Sequence, residues 1–97
     1  MKRHEVKIWP ENFTPLDHGE KTAEYRKDDR GYAVGDIVVA KEWDPNTERY
    51  TGRVTIRRIS HIVRGGCFGM PVGYVMISLN RTLPQGGDLS PDVWGQG

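Results

Sequence analysis

Alternation of apolar and polar side chains marks out the elements of this chain before any motif does. Val6-Lys7-Ile8-Trp9 alternates with a period of two and predicts a short strand. Pro10 ends it and suits the first position of a helix. Glu11 to Leu16 is therefore predicted as a short helical segment, which Pro15 keeps from growing long. Gly19 stands where a left-handed cap would close that helix. Thr22 to Arg26 reads as a second strand, with Thr22, Glu24 and Arg26 on one face and Ala23 and Tyr25 on the other. Lys27 to Gly31 is a charged turn.

Asp36 to Trp43, β-branched and bracketed by turn residues, is the strongest strand signal in the chain. Asp44-Pro45-Asn46-Thr47 has type I turn chemistry, and Gly52 helps the return into a long strand, Arg53 to Val63. Val54 and Ile56 share a face, but Ile59 is out of phase with them. A bulge near Arg57-Arg58 would restore the rhythm and leave Arg53, Thr55 and Arg57 as an outward polar row. Arg64 to Gly69 reads as a flexible loop, with Phe68 and Met70 covering the mouth of the barrel. Tyr74 to Leu79 is apolar on both faces and predicts an interior strand. Tyr25, Tyr74 and one tryptophan are expected in the core.

About five to six strands with one or two short helices predict an α+β, mainly β domain, closed as a small barrel or curled sheet. Residues 1–80 form that domain, and residues 81–97 are a Gly/Pro-rich tail in which Leu89, Val93 and Trp94 are apolar handholds. With 97 residues and 36% hydrophobic content, one small core is feasible and a second is not. The longest aliphatic run, Ile37 to Ala40, falls far short of the roughly 20 residues of a membrane-spanning helix. The charged start, Met1 to Glu5, has no apolar stretch behind it, so no secretory signal is expected. Cys67 is the single cysteine, which fits a reducing, cytoplasmic setting.

Charge is nearly balanced, fourteen Lys and Arg against thirteen Asp and Glu, so the chain is not a basic nucleic-acid coat. Its distribution is uneven. Arg49, Arg53, Arg57, Arg58 and Arg64 occur in a stretch without a carboxylate, whereas the tail after Arg81 holds Asp88 and Asp92 and no base.

His4, His18 and His61 do not fall at metal-ligand spacing, so no metal and no cofactor are expected. Cys67 sits beside Arg64 in a Gly-rich loop but has no evident partner base, and that loop lacks the Lys-Ser/Thr ending of a phosphate loop. Arg53 and Arg57, with Arg58 at the bulge, are candidates for phosphate contact or for cross-strand ion pairs. Trp9, Trp43, Tyr50 and Phe13 lie near Lys7, Lys41 and Arg49, a combination that stacks and holds single-stranded nucleic acid. The densest constellation is Gly19-Glu20-Lys21-Thr22-Ala23-Glu24-Tyr25-Arg26. On a strand, Thr22, Glu24 and Arg26 project together, and Glu24 can pair with Arg26. Lys21 beside a carboxylate can bind an anion, or serve as a base if desolvated. A surface ion-pair cluster is the alternative.

The run Gly-x-Lys-Thr-x-Glu-x-Arg, followed by Val34-Gly35-Asp36-Ile37 leading a strand, resembles the ASCH domain of the PUA-like superfamily. His4 to Pro10, Arg26 to Arg30, Glu42-Trp43-Asp44 and Phe68-Gly69-Met70 before Gly73-Tyr74-Val75 are similar to a compact ASCH-like branch of unknown function in bacteria and phages. The resemblance covers about Met1 to Leu79. It implies a curled β-barrel with a cleft lined by Lys21, Thr22, Glu24 and Arg26, and RNA or a nucleotide-like ligand as partner. One ASCH branch hydrolyses N-acetylated cytidine with a lysine, a threonine and a downstream glutamate. Lys21 matches that lysine, but Glu24 occupies the threonine position and no glutamate follows Glu48.

The leading expectation is an RNA-binding module whose cleft residues Lys21, Thr22, Glu24 and Arg26 are joined by Trp9 or Trp43 for stacking and by Arg53 and Arg57 for phosphates. An enzyme on an N-acylated nucleoside would instead use Lys21 and Glu24 as catalytic groups. A protein-interaction module using the Trp94 tail is a third reading, and no membrane partner is expected.

Overall fold

His4, Val6 and Ile8 alternate inward along the first strand, β1 (Arg3–Ile8), in the computed structural model, which describes residues 1–81. Trp9 takes the extended conformation that a residue before proline requires, φ −75° and ψ 155°. Pro10 then opens helix α1 (Pro10–His18), longer than the predicted Glu11–Leu16. Gly19 closes it in the left-handed region at φ 83°. The carbonyl of Pro15 accepts the amides of Glu20 (2.9 Å) and Lys21 (3.0 Å), so the chain turns directly from the helix toward β2 (Ala23–Lys27).

The longer strands follow, β3 (Ile37–Asp44), β4 (Arg49–Arg64) and β5 (Tyr74–Asn80). They form one five-stranded sheet in the order β1-β3-β4-β5-β2, parallel between β1 and β3 and antiparallel elsewhere. The expected barrel is corrected here. β1 and β2 are the two edges of the sheet and do not pair with each other, so the sheet stays open. β5 is interior, as its two apolar faces predict, between β4 and β2.

The core lies on one face, which will be called the inner face. Val6, Ile8, Val38, Ala40, Ile59, Val75, Ile77 and Leu79 point into it, and Phe13 and Leu16 of α1 with Tyr32 cover it. Each large apolar side chain buried there contributes roughly 1.5–3 kcal/mol. Ile37 and Val39, on the opposite, outer face of β3, are also buried.

Four further expectations are overturned. Register pairs Val38 with Arg57 and Ala40 with Thr55, which puts Arg57 and Thr55 on the inner face. Arg57 is only 8% exposed, whereas Val54 is exposed on the outer face. The polar row thus points inward. The irregularity that resets the phase of β4 lies between Ile59 and His61, against β5, and a second lies between Lys41 and Trp43 of β3, facing Tyr50 to Val54; neither is at Arg57-Arg58. Tyr25 is not core: the residue is 44% exposed and its ring stacks on half-buried Tyr74. Phe68 is 91% exposed rather than covering a barrel mouth. Leu89, Val93 and Trp94 lie outside the described residues. Among the described residues, no helix is long and apolar enough to cross a membrane.

Candidate functional site

Helix α1 ends with carbonyls that need donors. The inward-facing Arg57 supplies them. Its Nη2 donates to the carbonyls of Leu16 (2.8 Å) and Asp17 (3.1 Å), and its Nη1 to Thr55 Oγ1 (2.7 Å) and the Ile56 carbonyl (2.8 Å). These neutral acceptors fix the guanidinium without neutralising it. A second guanidinium joins at the same place: Arg81 Nη2 donates to the Asp17 carbonyl at 2.7 Å. Arg81 lies over Gly19, where an added Cβ would sit 3.1 Å from Nη2, so the missing side chain lets the arginine approach. Burial, and next the charge of Arg81, lower the pKa of Arg57, while Asp17 opposes them; the guanidinium stays charged.

Around these groups is a pocket of about 260 Å³ lined by Gly19, Lys21, Thr22, Arg57, Leu79, Asn80 and Arg81. Three of the seven lining residues are cations and none is a carboxylate. Thr22 is fixed because its carbonyl accepts the Leu79 amide at 2.8 Å, which extends the β2–β5 ladder to the pocket rim. Just outside the lining, Glu24 holds Lys21 in place: its Oε1 is 3.2 Å from Lys21 Nζ, and its Oε2 is 3.1 Å from Arg26 Nη1. Thr22, Glu24 and Arg26 are therefore on one face of one segment, with Lys21 folded back toward Glu24.

The remaining candidates lie elsewhere. Arg53 is engaged in a separate cluster, with its guanidinium 4.8 Å from the Phe13 ring centre and 3.4 Å from the buried carboxylate of Glu42. Trp9 starts α1, whereas the pocket is at the other end of the helix. Trp43 is on the outer face, where Lys7 Nζ lies 3.8 Å from its ring centre and Tyr50 packs against it edge-on at 5.0 Å. The structure thus brings together Lys21, Thr22 and Arg57, with Glu24 and Arg26 beside them, and leaves Arg53, Trp9 and Trp43 apart. Arg81 was missed by sequence reasoning. Its signal is that it is the last cation before the acidic tail. No group of three or more His, Cys, Asp or Glu suited to a metal occurs among the described residues.

Comparison with known proteins places the chain without naming an activity. A family model described as a domain of unknown function, DUF3850, matches residues 3–79. The chain belongs to the DUF3850 family. Its relatives include an "Uncharacterized 12.9 kDa protein in GpA 3'region" of Escherichia phage P2, 39% identical over 61 residues. That match covers 63% of this chain and 54% of the phage protein, so the chain spans about half the length of the curated relative it matches. All pocket residues except Asn80 and Arg81 fall within the DUF3850 match.

Proposed function

We propose that this DUF3850 domain binds nucleic acid, with RNA as the polymer, by seating a backbone phosphate in the pocket between α1 and the β2–β5 ladder. The observation that carries the reading is the lining itself: Lys21, Arg57 and Arg81 converge with no carboxylate among them. Two of the three are guanidiniums held against one backbone carbonyl, that of Asp17. Like charges brought this close repel, and an anion between them relieves the repulsion. Lys21 and Arg81 keep N–H groups to offer a phosphate, and the Thr22 hydroxyl adds a donor at the rim. The near-neutral net charge of +1 limits the footprint to a few phosphates rather than a long coated duplex. The resemblance of Gly19 to Arg26 to the ASCH segment favours RNA. It also implies a common cleft for Lys21, Thr22, Glu24 and Arg26, in which Glu24, just outside the pocket lining, accepts a hydrogen bond from a base edge when Lys21 turns to the phosphate.

The test is anisotropy of an end-labelled single-stranded RNA. A label on the RNA is preferable to intrinsic fluorescence, because Trp9 and Trp43 are away from the pocket. The wild-type chain is expected to bind, and the double variant Lys21→Ala/Arg81→Ala to bind at least about tenfold more weakly, since charge-assisted hydrogen bonds contribute about 1.5–3 kcal/mol each. Binding of equal strength by the folded double variant would contradict the proposal, as would no binding by the wild type.

A further inference from the structure

The outer face of the sheet carries a second feature, at the corner made by β2, β5 and the C-terminal half of β4. Pairing of Tyr25 with Met76, and of Met76 with Val63, aligns these three side chains across the corner. Tyr74 pairs with Lys27, so Tyr25 and Tyr74 are diagonal neighbours on adjacent strands. Their rings stack almost parallel, with centres 5.3 Å apart and an angle of 11° between planes. Tyr25 remains 44% exposed, and β2 is an edge strand with nothing among the described residues paired beyond it. The cationic and titratable side chains that the register places on this face are Lys27 and His61, both exposed and beside the tyrosines, and Arg58 farther along β4; among the described residues no carboxylate of these strands projects from it.

We propose that Tyr25 and Tyr74 form a stacking platform for an unpaired nucleobase, with Lys27 meeting its phosphate. The inference rests on the nucleic-acid reading above and adds a second point of contact to it. Three facts support it. A pre-stacked aromatic pair offers a rigid π-surface, and ring-on-base stacking tolerates any sequence. Open sheets bearing aromatics are a common way to take up single-stranded RNA. The corner is also close to the pocket along the chain. Thr22, at the pocket rim, is three residues before Tyr25, which is about 10 Å at the strand rise. A short single strand crossing the β2 edge places a phosphate in the pocket and a base on Tyr25.

The probe is a short single-stranded RNA carrying 2-aminopurine at each position in turn, whose fluorescence is quenched when the base stacks. With the wild-type chain, one position is expected to be quenched on binding. Tyr25→Ala should abolish that quenching and weaken affinity by roughly 5- to 150-fold, the effect of removing one base-stacking ring. Tyr25→Phe should retain both, because the ring and not the hydroxyl does the stacking. Arg81→Ala should weaken binding yet leave the probe quenched at saturating RNA. If the wild-type complex leaves every position unquenched, or Tyr25→Ala quenches and binds as the wild type does, the platform is overturned and the pocket stands. If the folded wild-type chain binds none of these RNAs, both readings fall.

Discussion

Arg57 is the residue on which helix, sheet and pocket meet. Its guanidinium satisfies the Leu16 and Asp17 carbonyls at the end of α1 from a strand 40 residues away in sequence. Replacing it with methionine keeps the bulk but removes its hydrogen bonds to the Leu16, Asp17 and Ile56 carbonyls and to Thr55 Oγ1, so Arg57→Met is expected to cost about 1–3 kcal/mol in chemical denaturation. Alternation along β4 distinguishes two faces but does not say which one is buried, and this is why Arg57 reads as a surface residue from sequence. Thr22, Glu24 and Arg26 group together from sequence because alternation puts them on one strand face, and Lys21 is their neighbour in the chain. Arg81 does not, because its role depends on β5 returning beside α1. At the start of β3, Asp36 is buried and accepts the Lys2 amide (2.9 Å), His4 Nε2 (2.8 Å) and the Ala33 amide (3.1 Å). Burial pushes its carboxyl up, but those hydrogen bonds together hold it below the ordinary aspartate value. A carboxyl lowered in the folded state contributes stability above its unfolded value and loses it as pH falls through the folded one. Stability is therefore expected to drop below about pH 4, and Asp36→Asn should flatten that acid dependence while lowering stability near neutrality by about 1–3 kcal/mol. Denaturation midpoints measured across that pH range check both.

At the scale of elements, strand positions were readable and their closure was not. The Val6–Ile8 alternation, the β-branched run of β3 and the doubly apolar β5 each predict their strand from local pattern. Whether an edge strand finds a partner depends on pairings distant in sequence, and no periodicity encodes that β1 joins β3 in parallel while β2 joins β5. The Gly-rich connection between β4 and β5 predicts flexibility, yet its arms are tied by Gly65 N–H to the Tyr74 carbonyl (2.7 Å) and Gly66 N–H to the Met70 carbonyl (2.8 Å). They cross so closely that a Cβ on Gly65 would fall 1.8 Å from the Pro71 carbonyl oxygen. Gly65→Ala is therefore expected to force this crossing apart and to speed amide hydrogen exchange at Gly65, Gly66 and Tyr74, while the distant Ile37 and Ile59 amides keep their protection. Unchanged exchange across the loop would show that the crossing is not tight.

For the molecule as a whole, charge placement matters more than charge total. A chain of net charge +1 gathers Lys21, Arg57 and Arg81 around one pocket of about 260 Å³ and keeps carboxylates out of its lining. The central claim is that this pocket neutralises a nucleic-acid phosphate. The most direct test is the salt dependence of single-stranded RNA affinity, compared between the wild-type chain and Arg81→Ala. Each phosphate neutralised on a single strand contributes about −0.7 to the slope of log affinity against log salt. A clearly negative wild-type slope is expected, and Arg81→Ala should make it shallower by about 0.7. Equal slopes for the two proteins, or binding indifferent to salt, would contradict it.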